Sequence, residues 1–153
     1  MEEIGRLVNL GSDTLESIDQ FEDFELRVPE IDGDHWVILN LIKAVQTAAA
    51  AGDRGRSESY LDRLVAFSAG HFAREELFLE LWKYPDVKEH ATEHAQLQER
   101  AEVVKEACGD IESREAFEKC CKALVSFLAD DVRRGDIKLK SFFESAGSTL
   151  QPA

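Results

Sequence analysis

Apolar residues recur three and four positions apart through most of the chain after residue 34, the spacing of one face of an α-helix, while the alternation of a half-buried strand is scarce. Four segments carry the pattern. The first predicted helix follows VPEIDGD, with Asp32 or Asp34 as its N-cap, and sets His35, Ile38, Ile42, Val45 and Ala49 on one face before AGDRGRS ends it. The second starts near Ser57 and aligns Leu61, Leu64, Ser68, His71, Glu75, Phe78 and Trp82. It stops at Tyr84-Pro85, because proline disfavours helix in the residue before it. The third aligns Val87, His90, His94, Leu97, Ala101, Val104 and Cys108 and stops at Gly109-Asp110. The fourth begins near Ser113, carries Phe117, Cys120, Cys121, Leu124 and Leu128, and continues through Asp131 toward Phe143.

Short connections between long helices predict an all-α fold, an up-down antiparallel four-helix bundle over residues 21–143. Ahead of the first helix, FEDFELRVPE lacks helical periodicity and reads as an extended arm with aromatic anchors. Residues 1–20 form an N-terminal extension in which Ile4, Leu7 and Val8 allow a short helix. Residues 144–153, with SAGSTLQPA, read as a flexible tail or linker.

Several positions on these apolar stripes are polar. Three of the chain's 4 histidines fall between Gly70 and Gln96, and His71 precedes Glu75 by one helical turn just as His90 precedes His94. One inward histidine is ordinarily a core imidazole satisfied by a carbonyl. Four of them buried with Glu75 and further acids would leave uncompensated charge costing several kcal/mol per group unless a cation sits among them. Imidazole with carboxylate suits iron, manganese or zinc, and no inward cysteine pair offers a structural thiolate zinc site. The Glu-x-x-His of ferritin-like bundles is absent, since Ser68, Val87 and Ala91 stand three before His71, His90 and His94. HATEH does match the H-x-x-E-H of inverted zinc proteases, with Glu93 as general base. That reading leaves His35, His71 and Glu75 without a task and places Glu93 off the inward stripe.

Composition narrows the partners. A chain of 153 residues is most simply one domain, and 31 acidic against 18 basic residues give a net charge of -13, which repels nucleic acid and anionic membranes. The start MEEIGRLVNL has acids where a secretory signal needs positive charge, and no apolar run approaches the roughly 20 residues that span a bilayer, so a cytoplasmic protein is expected. Cys108, Cys120 and Cys121 are odd in number, lack CxxC spacing and include neighbours badly placed to bridge each other. They read as small apolar core residues, with a redox or palmitoylation role as the alternative.

IDGDH, HFAREE, YPDVKEHATEH and the DxxxxD of DDVRRGD, in this order and at these separations, resemble the bacterial hemerythrin signature from about Phe21 to Phe143. The resemblance implies a four-helix bundle around two iron ions with a bridging oxo or hydroxo group, binding oxygen reversibly. It assigns His35 and His71 to the iron that keeps a position open, Glu75 and Asp136 to bridging carboxylates, and His90 and His94 to the other iron. It also assigns Leu128 to the wall of the ligand pocket, to which Phe78 and Trp82 could add.

The family's fifth histidine is missing. Its pattern there is His-x-x-x-x-Asp, and with Asp136 as anchor the histidine position holds Asp131. A carboxylate bound there in place of an imidazole favours the ferric state and weakens reversible oxygen binding; the alternatives are that Asp131 holds a water instead, or that Asp130 or no protein group fills the position. On an ideal helix Asp131 and Asp136 stand about 140° apart, so a π-bulge or kink near Gly135 is expected. The functional expectation is a sensor or redox-responsive protein rather than a bulk carrier, with dioxygen, nitric oxide or peroxide as ligand and a signalling partner or homo-oligomer as context. The alternatives are a di-iron oxidase or peroxidase on the same site, and iron storage or a metal-binding module. No catalytic residue is assigned, and a ligand-binding protein is favoured over an enzyme.

Overall fold

In the computed structural model, which describes residues 29–146, helices α1 (Pro29–Ala50), α2 (Arg54–Leu81), α3 (Val87–Gly109) and α4 (Arg114–Ala146) follow one another. Each packs against its neighbour in the chain, and α4 closes the bundle against α1. Residues 1–28 and 147–153 lie outside the described residues, and with them most of the expected arm, the N-terminal extension and the end of the tail.

Helix starts follow local chemistry. α1 begins at Pro29 rather than after Asp34, because proline's fixed φ and missing N–H suit the first helical position. Asp32 and Asp34 therefore lie within the helix, and neither caps it. α2 begins at Arg54, where Asp53 accepts a hydrogen bond from the Arg56 amide at 3.1 Å, and Ser113 accepts from the Ala116 amide at 3.3 Å at the start of α4. Gly52, at φ 75°, makes the first corner: a Cβ there would sit 2.5 Å from the Arg114 guanidinium carbon. α4 is assigned α-helical throughout, without the expected π-bulge near Gly135, and the helix runs past Phe143 to Ala146.

The core divides into two apolar clusters. The larger holds Ile38, Ile42 and Val45 of α1, Leu61, Leu64 and Phe72 of α2, Leu97, Ala101 and Val104 of α3, and Phe117, Leu124, Leu128 and Ala129 of α4. The smaller joins Ile31, Leu79, Leu139 and Phe143, with Phe78, Trp82, Tyr84, Val87 and Phe142 packed against it. Along every helix a gap separates the two: His35 falls between Ile31 and Ile38, Glu75 between Phe72 and Leu79, and His90 and His94 between Val87 and Leu97. On α4 the gap between Ala129 and Leu139 carries Asp131 and Asp136, whose side chains lie outside the described residues. A polar layer is thus sandwiched between two dry ones.

The cysteines depart from the expectation. Cys108, at the end of α3, is joined to Cys120, near the start of α4, in a disulfide with Cα atoms 5.6 Å apart, and Cys121 is a buried free thiol pushed up to about 12 by burial. The corner between α3 and α4 folds the chain back over 12 residues and brings together two cysteines that read in sequence as separate core positions.

Candidate metal centre

The inward stripes bring His35, His71, Glu75, His90 and His94 together, each less than 10% exposed. Glu75 is the hub. Nε2 of His71 lies 3.1 Å and Nε2 of His35 4.0 Å from Oε2, while Nε2 of His90 lies 2.6 Å and Nε2 of His94 3.5 Å from Oε1. Two imidazoles therefore face each oxygen of one carboxylate. The ligand atoms of His35, His71 and Glu75 lie within 4.8 Å of one another, and so do those of Glu75, His90 and His94. Ligands bound to one ion at about 2.1 Å stand about 3.0 to 4.2 Å apart, so each triad needs only small side-chain movements to close on a cation.

Their surroundings set the protonation of His71 and His94 in opposite directions. Nδ1 of His71 lies 3.1 Å from Oδ2 of Asp34, and since an ionised carboxylate only accepts, this nitrogen carries a hydrogen and donates it. A neutral His71 would then turn the lone pair of Nε2 toward the Glu75 carboxylate, a repulsive contact unless a positive charge lies between them. Burial disfavours the charged forms of both. It is outweighed by their mutual hydrogen bond together with Asp34 on His71 and His90 on Glu75, so His71 rises to about 9 and Glu75 falls well below the usual carboxylate range. Without metal, a proton does the work of a cation at this spot. His94 behaves oppositely: burial lowers it to about 4, leaving a neutral imidazole ready to ligate. Its ring stacks on Phe72 with centroids 4.1 Å apart, and its Nδ1 is buried with no hydrogen-bond partner among the described residues.

The donor set fits a pair of metal ions: four imidazoles arranged in twos about one ionised carboxylate, in a layer sealed by apolar clusters on both sides. Seven ligands were expected from the sequence, and the structure brings five of them together. The direction of the other two, Asp131 and Asp136, is not described. Glu93, the would-be general base of the protease reading, is exposed, whereas His90 and His94 are buried. The residues of the expected pocket wall are divided between the two apolar clusters. Leu128 belongs to the larger cluster, while Phe78 and Trp82 stack on each other at 6.0 Å and meet Phe143 in the smaller one, because they lie one and two turns beyond Glu75 toward the end of α2.

Sequence reasoning missed Phe72 and Tyr84, whose ring meets His90 edge-on at 6.3 Å, and it mistook Asp34 for a cap. One signal was available. Asp34 adjoins His35, and Arg74, which lies 2.8 Å from the same Asp34 oxygen, adjoins Glu75, so a charged pair flanks the ligands in the sequence.

Among the described residues no helix is long and apolar enough to cross a membrane. No curated protein and no solved structure gives a significant match to the chain. The model of the hemerythrin HHE cation-binding domain does match, over residues 27–141, which takes in all four helices up to Ser141 and every one of the five clustered ligands. This chain belongs to the hemerythrin HHE cation-binding domain family.

Proposed function

We propose that the chain holds two iron ions between its four helices and binds dioxygen, or a similar small ligand such as nitric oxide or peroxide, as a sensor or redox-responsive protein. The observation that carries this reading is the division of four imidazole nitrogens into two pairs, one facing each oxygen of Glu75. Each triad, taken alone, is two histidines and one carboxylate, the donor set that leaves ferrous iron with open positions for oxygen chemistry. Bound there, the two metals would supply the electrons that reversible oxygen binding requires.

The remaining work falls to the chain. Glu75 spans both positions, so occupancy of one orders the ligand of the other. Phe72 holds the His94 ring flat and keeps water from its face, and Tyr84 covers His90. Between Ala129 of the larger apolar cluster and Leu139 of the smaller, the sequence of α4 contributes Asp131 and Asp136. Since the two stand about 140° apart on an uninterrupted helix, binding through both requires α4 to adjust locally when metal enters. Asp131, in the place of a neutral histidine, makes the centre more readily oxidised and suits a sensor better than a carrier.

The test is the visible spectrum of the reduced, iron-loaded protein before and after oxygen, and of the oxidised protein with azide. Ligand-dependent charge-transfer bands are expected. A featureless spectrum at full iron loading would leave storage as the reading, and steady oxygen or peroxide consumption with a reductant would make it an oxidase or peroxidase.

A further inference from the structure

The two halves of the centre are supported differently. On the α1–α2 side, Oδ2 of Asp34 lies 3.1 Å from Nδ1 of His71 and 2.8 Å from Nε of Arg74, so one oxygen joins a buried ligand to a guanidinium that is half exposed. Arg74 is itself seated: its guanidinium lies over the Phe67 ring at 5.1 Å, and Gly70 leaves room beside it, since a Cβ there would come within 3.0 Å of Nη1. Consecutive residues of α1 thus do two jobs, His35 as candidate ligand and Asp34 as the group that aims His71. On the α3 side, the Nδ1 of His94 has no hydrogen-bond partner among the described residues, and ring stacking on Phe72 holds that side chain instead. Stacking restricts tilt but leaves rotation within the ring plane free. A hydrogen bond to Nδ1 fixes the lone pair of Nε2 in one direction.

We infer that Asp34, clamped by Arg74, is the positioning residue of the His35–His71 half, and that it makes this half take up its metal first and release it last. The inference rests on the binuclear reading above. Loss of an outer partner of a ligating histidine typically lowers metal affinity about 10- to 100-fold, and here the loss should be confined to one of two positions.

The experiment loads metal-free protein with cobalt(II), whose visible bands report each position, and follows release to excess chelator. Wild type should release cobalt in two phases, and His94→Ala should abolish the fast one, assigning the slow phase to the His35–His71 half. Asp34→Asn, nearly the same shape but uncharged, should speed the slow phase about 10- to 100-fold and leave the fast phase and its spectrum unchanged. Arg74→Gln, a change at the surface, should speed the same phase to a smaller degree, and it decides the matter if Asp34→Asn does not fold. Equal acceleration of both phases, acceleration of neither, or assignment of the slow phase to the His90–His94 half would overturn the inference. A wild-type chain that takes up a single cobalt would refute the binuclear reading instead. Positioning by Asp34 would then stand only if Asp34→Asn weakened that one site about tenfold or more.

Discussion

Replacing Glu75 by glutamine keeps the shape of the hub and removes its charge, and the consequences differ with and without metal. Glu75 is the one residue common to both triads, whereas His35 and His94 each belong to one. Glu75→Gln should therefore empty both positions, and His35→Ala or His94→Ala only one. Losing even an outer partner of a ligand costs about 10- to 100-fold in affinity, so losing a shared anionic ligand should cost about a hundredfold or more at each position.

In the metal-free protein the same carboxylate helps to raise His71 from 6.5 to about 9. That shift corresponds to stabilisation on the order of 3 kcal/mol, shared between Glu75 and Asp34. Glutamine should remove about half of it, some 1 to 2 kcal/mol at pH 7, because His71 can then shed its proton rather than remain a charge with a single partner. Metal content after dialysis and urea unfolding of chelated samples at pH 7 give the two readouts. A Glu75→Gln protein that keeps one ion, with the same content as His94→Ala, would refute the bridging role. Stability equal to wild type in the chelated samples would refute the ion pair.

Metal-free protein should be most stable near pH 6.5. Above that, the contribution of His71 is lost as pH rises through about 9, and below it the contribution of His94 is lost as pH falls through about 4. Bound metal displaces the His71 proton, so urea midpoints of loaded protein should not show the alkaline decline. Reducing the Cys108–Cys120 bridge, which closes 12 residues, should lower stability by about 3 kcal/mol, and an unchanged midpoint in dithiothreitol would show that the bridge adds nothing. Asp131→His should lengthen the lifetime of the oxygenated species after reduced, iron-loaded protein meets oxygen, since a neutral donor favours the ferrous pair. Equal lifetimes at matched iron content would remove Asp131 from the tuning of the centre.

The bundle was legible because its stripes are long and uninterrupted: His35 sits in register with Ile38 and Ile42, and His90 and His94 with Leu97 and Ala101, so inward polar residues stood out against apolar neighbours. Features that join different helices were not legible. Periodicity gives the face a side chain takes but not what it meets across the core, and so the contact of Asp34 with His71, 37 positions away, looked like a helix start. The Cys108–Cys120 bridge was hidden for a related reason, since each cysteine fits its own stripe as a small apolar residue. Phe72 follows His71 directly and falls off the three-four spacing. It is buried all the same, because α2 is flanked by α1 and α3 and buries more than one narrow stripe. The 140° separation of Asp131 and Asp136 on an ideal helix suggested a π-bulge that α4 does not contain, for the helix continues its pattern from Ala129 to Leu139 without one.

The most direct measurement is the number of iron ions held per chain after anaerobic reconstitution with ferrous iron and removal of the excess. Two ions per chain in wild type, falling to none in Glu75→Gln, is the result required by a carboxylate that offers one oxygen to each pair of histidines. One ion per chain in wild type, however tightly held, would contradict it.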